Sequence, residues 1–101
     1  MNKIFFQEIE EVRRLIQGEL TVSIVGFGYV GSCIGALLAS NGVKVHGIDR
    51  NQELVGEINR GTTSIEEPGL EEHVRRASES NTLQASTNFD SISISDIVIE
   101  L

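Results

Sequence analysis

A single cysteine, Cys33, serves a sequence of 101 residues. That scarcity excludes an internal disulfide and any zinc site built on several cysteines, and it fits a reducing compartment. Tryptophan is absent, and Pro68 is the one proline. Apolar runs stop after a handful of residues, against the roughly 20 that cross a bilayer, so no membrane-spanning segment is expected. The opening Met1-Asn2-Lys3-Ile4-Phe5-Phe6 starts like an export signal, but Gln7, Glu8, Glu10 and Glu11 follow before a sufficient apolar stretch or a small-residue cleavage site. A cytoplasmic chain is the expectation. Cations are scarce as well, eight Lys and Arg against 15 Asp and Glu, for a net charge of −7. This field argues against nucleic acid and anionic lipid as partners. A small anionic cofactor is still admissible, because local backbone dipoles can outweigh a diffuse negative charge. The length suits one compact domain of modest core and is too short for a cofactor domain plus a substrate domain.

What is there falls into an ordered series of elements. Ile4, Phe5, Ile9, Val12 and Ile16 recur near helical spacing, with Glu10 and Arg14 placed for an i,i+4 pair and Gly18 as a stop, which predicts an amphipathic helix laid against its own domain over residues 1–18. Thr21-Val22-Ser23-Ile24-Val25 is a β-branched run ended by Gly26 and reads as a buried strand. From Tyr29 to Ser40 the period becomes helical, with Val30, Ile34, Leu37 and Leu38 on one face, Gly35 small enough to let the helix lie close to the sheet, and Asn41-Gly42 as terminator. Val43 to Ile48 is a second strand closed by Asp49. A second helix is capped by Asn51 and runs to Gly61, and a third starts at Pro68, in its first turn, and reaches Ser80. Leu83 to Ser86 and Ile97 to Leu101 are short strands, and Ser91 to Asp96 between them is too short and serine-rich to predict as helix. Strand, helix, strand within about 30 residues is the βαβ unit of a parallel sheet.

Inside that unit lies Gly26-Phe27-Gly28-Tyr29-Val30-Gly31, a GxGxxG string that is weak evidence alone. Its context makes it specific. It leaves a predicted strand, opens a predicted helix and is followed at the end of the next strand by an acid, Asp49, about 20 residues on. Gly26 permits the tight turn, Gly28 lets a pyrophosphate approach the backbone, and Gly31 lets helix and strand pack closely. Free N–H groups at the helix N-terminus then meet the phosphates, and Asp49 accepts from the adenosine ribose hydroxyls. A 2′-phosphate there would face a like charge, so NAD is expected over NADP, with Arg50 available to stack on adenine or to hold such a phosphate. The expected cofactor contacts are therefore Gly26, Phe27, Gly28, Tyr29, Val30, Gly31, Asp49 and Arg50, in an α/β Rossmann-type domain over residues 19–101 with sheet order 3-2-1-4.

Val25 to Gly31, with its Gly-Tyr-Val-Gly, resembles the opening of the UDP-glucose/GDP-mannose dehydrogenase family. The likeness continues through Gly47-Ile48-Asp49, Glu57-Ile58-Asn59-Arg60-Gly61, Thr87-Asn88-Phe89 and Ser95-Asp96-Ile97-Val98-Ile99. Ile65-Glu66-Glu67-Pro68-Gly69-Leu70 is similar to that family's Ile-x-Glu-Pro-Gly-Leu stretch, which other Rossmann oxidoreductases lack. The resemblance implies a homodimeric enzyme that oxidises the C6 alcohol of a UDP- or GDP-sugar to a carboxylate with two NAD. It implies no catalytic residue in this chain, because the family's cysteine nucleophile and its lysine and acidic helpers lie far beyond these residues. A reading of another class, a stand-alone module that senses NAD or ATP, shares the glycines but leaves Glu-Pro-Gly-Leu without a role.

The remaining reactive side chains read as structural. Cys33, early in the glycine-rich helix, is expected to be a small packing residue. His46 and His73 lack a second ligand at metal spacing and are expected at the surface. Glu66, Glu67, Glu71 and Glu72 read as solvated carboxylates favoured by a helix N-terminus. If the fourth strand borders the first, Ile97 to Leu101 form an open sheet edge through which chains can associate.

Overall fold

The computed structural model describes residues 3–101, with side chains from Glu10 onward. In chain order it comprises α1 (Lys3–Ile16), β1 (Thr21–Val25), α2 (Tyr29–Ser40), β2 (Lys44–Ile48), α3 (Gln52–Asn59), α4 (Leu70–Glu79), β3 (Leu83–Ser86), a 3₁₀ helix (Phe89–Ile94) and β4 (Ile97–Glu100). All three strand pairings are parallel, and the order is β3-β2-β1-β4, the expected doubly wound half-sheet. No helix among the described residues is long and apolar enough to cross a membrane.

Strand register sorts the side chains into two faces. Val22 pairs with Val45 and Ile97, and Ile24 with Gly47 and Ile99, while Val45 and Gly47 pair with Leu83 and Ala85. This face meets α2, since the position of a Cβ on Gly35 lies 3.3 Å from Ile24 Cδ1. The core forms there, from Val22, Ile24, Phe27, Ala36, Ala39, Val45, Ile58, Leu70, Val74, Ala77, Leu83 and their neighbours. Edge strand β3 is partly covered by a side chain: Asn59 donates to the Ala85 carbonyl (2.9 Å) and accepts from the Ala85 N–H (2.8 Å), satisfying both backbone groups of that residue.

The structure corrects several expectations. The inward face of α2 is its small one, Gly31, Ser32, Gly35, Ala36 and Ala39. Val30 and Leu37 point outward at 55% and 53% exposure and Ile34 is exposed with them, while Leu38, of the same apolar set, packs against the core. Close approach of helix to sheet selects small residues over large apolar ones. Along α1, Val12 and Ile16 are exposed and Leu15 packs against the core; Ile4, Phe5 and Ile9 lie outside the described side chains. Glu10 pairs with Arg13 at i,i+3, while Arg14 faces Glu19. Helix α4 starts at Leu70, because Glu67-Pro68-Gly69-Leu70 is a type II turn. Leu70 N–H donates to the Glu67 carbonyl (3.0 Å), and Gly69 takes the left-handed φ of +86° that this turn requires. Asn88, whose side chain accepts from Asp90 N–H (2.8 Å), caps the 3₁₀ helix that the serine-rich composition concealed.

Candidate functional site

At the carboxyl end of the sheet, the β1–α2 turn and the end of β2 come together. Gly26 leaves β1 with φ +91°, its N–H bonded to the Ile48 carbonyl (2.8 Å). A Cβ at Gly31 would stand 2.0 Å from the Gly26 carbonyl oxygen, so no other residue fits where helix and strand meet. At Gly28 the same atom would find nothing within 4 Å, and this flank of the turn is open.

The first backbone bond into α2 runs from Ser32 N–H to the Gly28 carbonyl (2.9 Å). The N–H groups of Tyr29, Val30 and Gly31 precede it and have no acceptor among the described residues. No acidic side chain occupies the first turn of α2 to compete for them. Three free donors beside an open glycine, at the positive end of a helix dipole, form a cradle shaped for an anionic group such as a pyrophosphate.

Asp49 stands beside this cradle, half-buried and clamped. Phe27 N–H donates to its Oδ2 (2.8 Å) and Asn51 N–H to its Oδ1 (2.9 Å). Asn51 is itself fixed, since its side chain accepts from Glu53 and Leu54 N–H as the cap of α3. Each Asp49 oxygen keeps lone-pair capacity for a further donor, such as a ribose hydroxyl. Arg50 follows in the exposed loop.

Of the expected contacts, Gly26, Gly28, Tyr29, Val30, Gly31 and Asp49 gather around this one turn. The Phe27 side chain is 1% exposed and fills the space left by two glycines, its ring 2.5 Å from a Cβ position on Gly35 and 2.7 Å from one on Gly47. Only its backbone N–H faces the site.

A further contact crosses 38 residues of chain and had no local signal. The Tyr29 hydroxyl donates to Glu67, the residue that begins the type II turn. This bond, more than burial, raises the Tyr29 phenol above its ordinary pKa. Behind it a cleft of about 200 Å³ is lined by Cys33, Leu37, Glu67, Pro68, Leu70 and His73. Burial first, and the Glu67 carboxylate second, raise the Cys33 thiol, which keeps it protonated. The histidines are corrected as well. His73 Nδ1 is bonded to Ser40 Oγ (2.7 Å), and the half-buried His46 has a buried Nε2 without a partner among the described residues. No cluster of metal-ligating side chains occurs among the described residues.

Known proteins are similar to this chain in sequence and fold. Residues 20–100 match the NAD binding domain of the UDP-glucose/GDP-mannose dehydrogenase family. UDP-N-acetyl-D-mannosamine dehydrogenase of Escherichia coli is 45% identical over 67 residues, which are 66% of this chain and 16% of that protein. The structure of a GDP-mannose dehydrogenase from Pseudomonas aeruginosa superposes with a TM-score of 0.76 at 32% identity, covering 79% of this chain and 19% of that one. For the UDP-N-acetyl-mannosamine dehydrogenase Cap5O from Staphylococcus aureus the TM-score is 0.72 at 36% identity, covering 80% and 19%. The chain thus spans less than a fifth of the length of these relatives. The family match begins one residue before β1 and closes with β4, so it takes in the whole sheet and the turn that opens α2; the chain belongs to the UDP-glucose/GDP-mannose dehydrogenase family, through its NAD-binding domain.

Proposed function

We propose that this chain is the NAD-binding portion of a nucleotide-sugar dehydrogenase that, as a whole enzyme, oxidises the C6 alcohol of a UDP- or GDP-sugar to the carboxylate. The observation that carries the reading is the open cradle of unpartnered N–H groups beside a clamped Asp49. Backbone groups of Gly28, Tyr29, Val30 and Gly31 receive the pyrophosphate, Asp49 accepts from the adenosine ribose hydroxyls, and Arg50 lies at the adenosine end. Gly26 and Phe27 shape the turn without touching the cofactor through side chains. Bound NAD supplies the hydride acceptor; the residues of this chain bind and orient it, and none of them is catalytic.

The functional unit is residues 19–101, preceded by a leading segment, residues 1–18, that carries α1. The whole enzyme is read as a cytoplasmic homodimer, as the family resemblance implies.

Calorimetric titration with NAD, NADP and ATP, repeated on Asp49→Ala, tests the cofactor site. The expected result is NAD bound more tightly than NADP, with affinity reduced at least about tenfold by the substitution, the worth of a charge-assisted hydrogen bond. Preference for ATP, or no loss in Asp49→Ala, would replace this reading with a nucleotide-sensing module.

A further inference from the structure

The Glu67-Pro68-Gly69-Leu70 segment is the most distinctive string of the chain, yet the cradle and Asp49 leave it without a task. Three observations give it one. Its turn is rigid, with Pro68 restricting one central position and Gly69 at φ +86° meeting the demand of the other, so the Glu67 backbone is set by local geometry. The preceding chain is tied down as well: Ser64 N–H and Oγ both donate to Glu57, at 3.2 and 3.0 Å. From this fixed base the Glu67 side chain spans to the hydroxyl of Tyr29, the first residue of α2, whose own N–H is one of the free donors of the cradle. Glu67 also lines the cleft that Cys33, Leu37, Pro68, Leu70 and His73 form.

Resting on the dinucleotide reading above, we propose that Glu67 is a positioning residue of the dinucleotide site that acts through Tyr29. Its carboxylate latches the 62–70 segment to the phosphate turn, and the latch governs how fast the dinucleotide leaves. Glu67 does not touch the pyrophosphate in this scheme, since two anions side by side would repel. It holds the Tyr29 ring at one flank of the cradle. Tyr29 is 54% exposed, so packing holds the ring only weakly there once the hydroxyl loses its partner. Release requires the ring and the 62–70 segment to separate, so the bond adds to the barrier for dissociation more than to the barrier for encounter.

The test uses NADH, whose fluorescence reports binding, and the full chain carrying Tyr29→Phe, Glu67→Ala, Glu67→Gln or the Tyr29→Phe/Glu67→Ala pair. All four changes are at exposed positions, and circular dichroism checks that each variant is folded. Tyr29→Phe and Glu67→Ala are each expected to raise the NADH dissociation rate about three- to tenfold, the range of one hydrogen bond, with association nearly unchanged. The double variant is expected to add nothing beyond either single one, because both remove the same bond. Glu67→Gln, which keeps an acceptor, is expected to stay near the unaltered rate. Without NADH, amide exchange across residues 62–70 should rise in Tyr29→Phe and Glu67→Ala and not in Glu67→Gln. Unchanged release in Tyr29→Phe, or additive effects in the double variant, would overturn this proposal and leave the dinucleotide site standing. Failure of the unaltered chain to bind NADH would overturn both.

Discussion

The two faces of the same four-stranded sheet are built on different terms. On the α2 side, Val22, Ile24, Val45, Leu83 and Ala85 are sealed under helices, and contact is so close that Gly31, Gly35 and Gly47 are required by atoms 2.0 to 2.7 Å from where a Cβ would stand. On the other side, register aligns Ser23, His46 and Gln84, with Val98 flanking Ser23. Cover there is slight: the 3₁₀ helix reaches across to give Ser95 as hydroxyl partner to the fully buried Ser23, and a cleft of about 290 Å³ remains, lined in part by Thr21, Lys44, His46, Gln84 and Ile94. One face is specified by size and the other by polarity. Packing tolerances of a few tenths of an ångström govern the first, whereas hydration and protonation govern the second.

Substitutions separate the two regimes. Phe27→Ala is expected to have the largest effect, destabilising the domain by about 3–5 kcal/mol in denaturant titration, because the ring alone fills the gap between Gly35 and Gly47. A loss below about 1 kcal/mol would mean that the helix–sheet contact relaxes and that close packing does not define this face. Gly31→Ala should follow at about 3 kcal/mol, since a methyl group 2.0 Å from the Gly26 carbonyl forces the turn apart. Gly28→Ala, three residues earlier with open space around it, should change stability by less than about 1.5 kcal/mol while abolishing measurable NAD binding. Equal loss of stability in the two glycine variants would erase the distinction between a packing glycine and a ligand-facing one.

The smallest effect belongs to the polar face. Burial lowers His46 below its ordinary value of 6.5, so the unfolded chain binds a proton more readily than the folded one. This contribution to stability is complete above about pH 6.5 and declines as pH falls toward the folded-state value, where it levels off. Urea midpoints at pH 7.5 and 5.5 should therefore differ in the unaltered chain, and His46→Leu should reduce the difference. An unchanged pH dependence in His46→Leu would show that water reaches the buried Nε2 freely and that the face is solvated.

Much of this was legible from residue order. The strands at 21–25 and 83–86, the helix opened by Gly28-Tyr29, the Asn51 cap and the place of Asp49 at the end of β2 follow from periodicity, glycine spacing and capping chemistry, all of which act over a few residues. Phe27 was not legible, because x in GxGxxG carries no size information and its surroundings come from Gly35 and Gly47, eight and 20 residues away. The inward face of α2 misled for a related reason. Val30, Ile34 and Leu37 form the stronger apolar stripe, but a helix that must rest on a sheet at close range turns its small residues inward.

By itself, then, the order of residues determined the element series, the parallel βαβ connection and the glycine-rich turn that opens α2, because each depends on backbone preferences and hydrogen bonds local to the chain. Only tertiary structure decided which face of α2 is buried, that Asn59 covers the edge of β3, that His46 Nε2 is shut away without a partner among the described residues, and that Glu67 reaches Tyr29. Those outcomes depend on distances between segments tens of residues apart, set by how closely helices can lie on the sheet.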